Sequence, residues 1–91
     1  MFWVYILHSQ ERDRFYIGQC SALETRMAAH LNGQTKSTHG VSDWEVVFLQ
    51  RSESRSEAMR LEQRIKKTKS RKSISRYIRD PRNLIGEPTP L

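Results

Sequence analysis

Five residues in this chain have the types and spacing of a site that moves protons or meets a phosphate: Tyr5, Tyr16, Arg26, His30 and Glu62. Tyr5 lies in the run Trp3-Val4-Tyr5-Ile6-Leu7 and Tyr16 in Phe15-Tyr16-Ile17-Gly18, with a polar stretch from Ser9 to Arg14 between them. Two such runs read as the arms of a β-hairpin. Side chains on one face of a strand recur at every second residue. Trp3, Tyr5 and Leu7 therefore share a face, and Tyr16 can stand beside Tyr5 across the pair. Two readings are open: amphipathic core tyrosines, or two phenols held at a reaction centre.

Arg26 and His30 are four apart, so on a helix they emerge on the same side, one turn apart. They fall at the edge of the stripe formed by Leu23, Met27 and Leu31. An arginine there can grip a phosphate bidentately; the pair reads equally as a surface Arg beside a half-buried His. Glu62 projects near Ala58 and Ile65 on the inward stripe of its helix, whereas Glu57 points away. A carboxylate turned inward is costly unless it is paired or binds a cation. A salt bridge to a nearby Arg satisfies it, and so does a hard cation, since one carboxylate plus waters and a substrate phosphate suits Mg²⁺.

The elements that must position these residues follow from local signals. Ser21 to Glu24 and Ser54 to Glu57 have the spacing of capping boxes and open two helices. Gly33 ends the first as a C′ residue, and residues 34 to 43 read as a loop. Trp44 to Leu49 is a third strand, with Trp44, Val46 and Phe48 on one face and Val47 and Leu49 on the other. The second helix runs to about Lys67 with Ala58, Leu61 and Ile65 inward. A third, from about Ser70 to Arg79, is anchored by Ile74, Tyr77 and Ile78 and stopped by Pro81. His8 reads as a turn residue, and the tail from Asn83 as irregular chain. The order β-β-α-β-α-α predicts an α+β fold, a three-stranded, mainly antiparallel sheet flanked by three helices. Residues 1–80 form one domain and 81–91 a C-terminal tail.

Composition narrows the class. The 91 residues carry 16 Lys and Arg against 10 Asp and Glu, a net charge of +6. The cations concentrate between Arg55 and Arg82, including Arg60, Arg64, Lys66, Lys67, Lys69, Arg71 and Lys72. A concentrated basic surface is the footprint of a polyanion partner, although a solvated helix face has the same composition. No apolar run is long enough to span a bilayer and the N-terminal residues do not read as a basic-then-apolar leader, so the expectation is a cytoplasmic chain without a membrane partner or an obligate protein partner. Cys20 stands alone and permits no internal disulfide. There is no Gly-rich phosphate loop, paired-Cys zinc spacing or serine nucleophile elbow. His8, His30 and His39 are too scattered for a zinc site.

Taken in order, the five residues resemble the GIY-YIG nuclease family. Trp3-Val4-Tyr5 stands at the first family triplet, Tyr16-Ile17-Gly18 reproduces the second, and Arg26, His30 and Glu62 match its helix positions. The likeness runs from about Phe2 to Ile78 and is strongest to small stand-alone bacterial members related to the N-terminal domain of the excision-repair C subunit. It departs at Trp3, where the family has glycine. His39 and Asn83 are accessory candidates, matching a histidine and an asparagine that some members carry.

The resemblance implies hydrolysis of a DNA phosphodiester, in repair or recombination, by metal-assisted attack of water. Glu62 would hold one Mg²⁺ or Mn²⁺ ion, and Arg26 would stabilise charge on the phosphate. Tyr5 or Tyr16 would take the water's proton, Tyr5 being preferred with Tyr16 orienting, and His30 would relay that proton or contact the phosphate. A phenol titrates near pH ~10, so a base role requires neighbours that lower this. Arg26 and the basic helices would carry the nucleic acid. The alternative is a nucleic-acid-binding module with the nuclease fold but little cleavage. A plain structural domain is a third class, which predicts no binding to DNA or RNA at low salt.

Overall fold

The structure, a computed structural model, describes residues 1–32, 38–68, 70–85 and 89–90, the last two by backbone alone. Gly33 and Lys69 lie outside the described residues. Strands β1 (Phe2–Ser9) and β2 (Arg14–Cys20) form the expected hairpin. Helix α1 (Leu23–Leu31) follows, then β3 (Trp44–Ser52), α2 (Arg55–Thr68) and α3 (Arg71–Arg79). The sheet is antiparallel in the order β2-β1-β3, so β1 is central. The tail expected to be irregular adds a two-residue edge strand, β4 (Thr89–Pro90), paired with Glu45 and Val46. His8 is no turn residue: it sits inside β1 opposite Phe15, its ring 4.6 Å from that of Phe15.

Alternation along β1 divides the core. Val4 and Ile6 face the apolar stripes of α2 (Ala58, Leu61, Ile65) and α3 (Ile74). Tyr5 and Leu7 face the other way, toward Trp44, Val46, Val41 and Met27 of α1. Strand β3 departs from simple alternation. Its register on β1 shifts between Ile6 and Leu7, so Leu7 pairs with Val46, Ile6 pairs with Phe48, and Val47 is the extra residue. Phe48 therefore joins Val47 on the α2 side rather than Trp44 and Val46. A bulge moves every later side chain to the face opposite the one that period two assigns.

Asn83 closes this bulge. Its amide nitrogen donates to the carbonyls of Val47 (3.0 Å) and Ile78 (2.8 Å), and its oxygen accepts from the N–H groups of Leu49 and Ile85 (both 3.0 Å). All four hydrogen-bonding positions of the amide are taken by backbone. Asn83→Ala leaves part-buried backbone groups unpaired and is expected to cost about 2 kcal/mol or more. A urea titration measures it; a midpoint equal to wild type would show the clamp to be idle.

Helix starts answer the capping expectations differently. At α2 the N–H of Glu57 donates to Ser54 Oγ at 3.2 Å, as the box requires. At α1 the N-cap is Ala22 and no side chain caps it. Helix α1 begins one residue later than Ser21–Glu24 demands, which puts Thr25, not Glu24, at the third helical position. Its rotation differs too. His30, expected at the stripe's edge, is the helix's one buried residue, while Leu31 is exposed.

Candidate active site

Tyr5 is wholly buried at the centre of the sheet, and the residue opposite it on β2 is Gly18. Tyr5 lies across that position so closely that a Cβ at residue 18 would come 2.5 Å from the Tyr5 hydroxyl. Glycine is needed here for space. Tyr16 is opposite Leu7, so the two tyrosines are diagonal neighbours, ring centroids 6.3 Å apart. Gly18→Ala is expected to displace the Tyr5 hydroxyl and cost about 1–3 kcal/mol. Thermal unfolding of that variant tests it; an unchanged midpoint would contradict the close fit.

Helix α1 brings two groups to the Tyr5 hydroxyl. His30 Nε2 lies 2.8 Å from it, and Arg26 Nε donates to it at 3.4 Å. His30 Nδ1 lies 2.9 Å from Thr38 Oγ1, and Thr38 is itself buried, its carbonyl accepting from Trp44 Nε1 at 3.3 Å. The His30 ring also meets Tyr16 edge-on, centroids 4.8 Å apart. The result is a chain running Thr38, His30, Tyr5, Arg26. Two assignments satisfy the network: the phenol donates to His30 Nε2 and the imidazole proton sits on Nδ1 facing Thr38, or Nε2–H donates to the phenol oxygen and Thr38 donates to Nδ1.

Burial sets the charge states. It pushes the Tyr5 phenol up to about 12, against the lowering hydrogen bond from Arg26. It pushes His30 down to about 4, and the positive charge of Arg26 adds to that. At neutral pH both are uncharged. The unfolded chain takes a proton on His30 near 6.5 and the folded chain only near 4, so stability is lost as pH falls through that interval. Tyr5 acts oppositely: the unfolded phenol ionises near 10.0 and the folded one near 12, so stability is lost as pH rises between them. The urea midpoint should be flat from about pH 7 to 9 and fall below about pH 6, by roughly 1.4 kcal/mol per pH unit at most from this group. His30→Gln should flatten the acid limb; an unchanged limb would remove His30 as its cause.

Arg26 also lines an open groove of about 370 Å³ with Cys20, Thr25, Arg55 and Gln19, whose side-chain oxygen is buried without a partner among the described residues. Arg26 is exposed, so its outer guanidinium nitrogens meet solvent. Four of the five candidates thus come together. Glu62 does not join them by any contact among the described residues. It belongs to α2, whose apolar side packs on the sheet face away from Tyr5, and its carboxylate pairs with Lys66 Nζ at 3.1 Å. Its side chain is only 15% exposed. A single, largely shielded carboxylate matches the donor that Mg²⁺ or Mn²⁺ takes from a protein when phosphate and water complete its shell. Among the described residues no group of three or more His, Cys, Asp or Glu gathers for a metal.

The basic residues are less uniformly free than their sequence suggests. Lys66 is held by Glu62, and Arg71 pairs with Asp13 in the hairpin loop. Arg60 and Arg64 are exposed and line a cleft with Arg51 at the end of β3. Lys67 and Lys72 are exposed and form no ion pair among the described residues. His39 is exposed and adjacent to Thr38, while Asn83 spends its amide on backbone. Thr38 was not legible as a site residue, because nothing in residues 34 to 43 marks one hydroxyl among several.

A three-stranded sheet carrying paired tyrosines under an Arg–His helix is the arrangement of a nuclease-type domain. The GIY-YIG catalytic domain model matches residues 1–77, and the chain belongs to that family. Comparisons with curated proteins and with solved structures return no match. No described helix is long and apolar enough to cross a membrane.

Proposed function

We propose that this chain is an endonuclease that hydrolyses phosphodiester bonds in DNA with the help of one divalent ion, Mg²⁺ or Mn²⁺. The observation that carries the reading is the 2.8 Å contact between the Tyr5 hydroxyl and His30 Nε2, beneath the Arg26 guanidinium. A phenol that is to take a proton from water must first lose its own. Neutral His30 is the acceptor for that proton in the tautomer whose Nδ1–H faces Thr38, which leaves Nε2 as the free side. In this reading Tyr5 is the general base and His30 its relay. Burial holds the resting phenol at about 12 and His30 at about 4, so the transfer requires the bound cation to lower the phenol first. Tyr16, half-buried and edge-on to His30, keeps the ring in place and flanks the attacking water.

Arg26 has two roles. Its Nε holds the phenol oxygen, and its outer nitrogens take the scissile phosphate from the groove side. Drawing Arg26 onto a phosphate also uncovers the buried hydroxyl for water. Glu62 would hold the ion, giving up its pairing with Lys66; when bound, such an ion would supply Lewis-acid stabilisation of the charge that develops on the ester. Arg60, Arg64, Lys67 and Lys72, with Lys66, Lys69 and Arg71, give a basic surface for the flanking backbone. Its binding should weaken steeply with salt.

The test is cleavage of a panel of branched, nicked and linear DNAs with Mg²⁺ or Mn²⁺, with a chelator control. Metal-dependent nicking is expected; intact DNA throughout would overturn the reading. One observation favours a second reading, a binding module with little cleavage: Glu62 is paired with Lys66 and touches none of the other four residues. Salt-sensitive DNA binding without metal-dependent product would select it.

A further inference from the structure

The two tryptophans on the Tyr5 face of the sheet are treated oppositely. Trp44 is 2% exposed and its Nε1 donates to the Thr38 carbonyl. Trp3 is half-buried and belongs to neither core cluster, and its side chain makes no hydrogen bond or ring contact among the described residues. Register explains the difference. Across β2, β1 and β3 the face reads in rows: Gly18, Tyr5, Leu49, and beyond it Cys20, Trp3, Arg51. The Tyr5 row is closed, Gly18 and Tyr5 being buried, while the Trp3 row opens to an exposed Arg51. Cys20 also lines the groove that holds Arg26 and Arg55. Trp3 thus stands one row from Tyr5, between Cys20 of that groove and Arg51 on β3.

A large, half-buried ring without a hydrogen-bond or ring partner among the described residues, in the row next to Tyr5, has one abundant complement for its open part, the π-face of a nucleobase. Bases in a duplex have both faces occupied by their neighbours; unpaired ones do not. We propose that Trp3 is a stacking platform for an unpaired nucleotide next to the cleaved phosphate, with Arg51 on the adjoining phosphate. The substrate class is then DNA with a single-stranded segment, such as a branch or flap. The proposal rests on the reading of Tyr5 and Arg26 as the phosphodiester site.

Tryptophan emission tests it directly. Metal-free protein is titrated at low salt with oligo(dT) and with a blunt duplex of equal length, beside Trp3→Leu and Trp3→Phe, and cleavage of branched DNA is assayed separately with Mn²⁺. Oligo(dT) should quench the wild-type emission more than the duplex does. Trp3→Leu should lose that quench and bind about 10–100-fold more weakly, the worth of one stacked base. Trp3→Phe should recover much of the affinity, with melting curves of both variants superimposing on wild type. Cleavage without quenching, equal affinity in Trp3→Leu, or equal quenching by duplex would overturn the stacking and leave the nuclease standing. Quenching with no cleavage of any DNA would support the stacking and overturn the nuclease. No binding to either DNA would overturn both.

Discussion

Tyr5→Phe is expected to lower the cleavage rate by about 10²–10⁴-fold, the range for removal of a general base. The ring is kept, so its fit over Gly18 is kept. Only the oxygen between His30 Nε2 and Arg26 Nε is lost. That leaves a buried imidazole nitrogen unpaired, and stability should fall by about 1–3 kcal/mol. The two effects separate experimentally. Rates measured well below the variant's unfolding midpoint report chemistry, and urea titration reports the orphaned nitrogen. Tyr16→Phe is the comparison. Tyr16 has no imidazole acceptor for its proton, so its loss should cost less rate than that of Tyr5. If Tyr16→Phe abolishes cleavage while Tyr5→Phe retains it, the two phenols have exchanged roles.

Glu62→Gln is expected to weaken the response to Mg²⁺ and Mn²⁺ sharply and to lower cleavage by roughly 10²-fold or more, because an uncharged amide oxygen holds a hard cation far more weakly than a carboxylate. The fold should be untouched. Glu62 lies on α2 beside the packed stripe of Ala58, Leu61 and Ile65, and its partner Lys66 is half-exposed and loses only an i,i+4 pair. An i,i+4 pair of this kind on a helix contributes roughly 0.3–0.5 kcal/mol. Mn²⁺ affinity of the wild type and the variant gives a readout that does not require turnover. Equal Mn²⁺ affinity in Glu62→Gln would mean that Glu62 is no ligand and that Lys66 is its permanent partner.

Much of this was legible in the sequence where one local rule governs. Period two put Trp3, Tyr5 and Leu7 on one face, and the Ser54–Glu57 spacing opened α2. The same rules failed where a distant contact decides. The bulge at Val47 rotates Phe48 to the α2 side, and the amide that clamps it, that of Asn83, lies far along the chain. Ser21 and Glu24 have the spacing of a capping box, but α1 starts a residue late and the two fall out of phase. Among the site residues, the helical spacing of Arg26 and His30 held, since both reach the Tyr5 hydroxyl. His30 at the edge of an apolar stripe became the helix's buried residue because the sheet supplies it with Tyr5 and the loop with Thr38. That Thr38 would be the partner has no sequence signal. The cationic run between Arg55 and Arg82 overstated the free charge, since Asp13, a hairpin residue, holds Arg71.

If Arg26 meets a phosphate whose ester is cleaved beside Tyr5, removing its guanidinium should slow the chemical step more than binding. The most direct measurement is a single-turnover time course on branched DNA in Mn²⁺, comparing wild type with Arg26→Ala at saturating protein. Arg26 is exposed, so the variant should fold normally, and its binding should persist through the remaining cations. Wild type is predicted to yield nicked product, and Arg26→Ala to bind DNA but form about 10²–10³-fold less product per unit time. Equal rates for the two proteins would contradict the account.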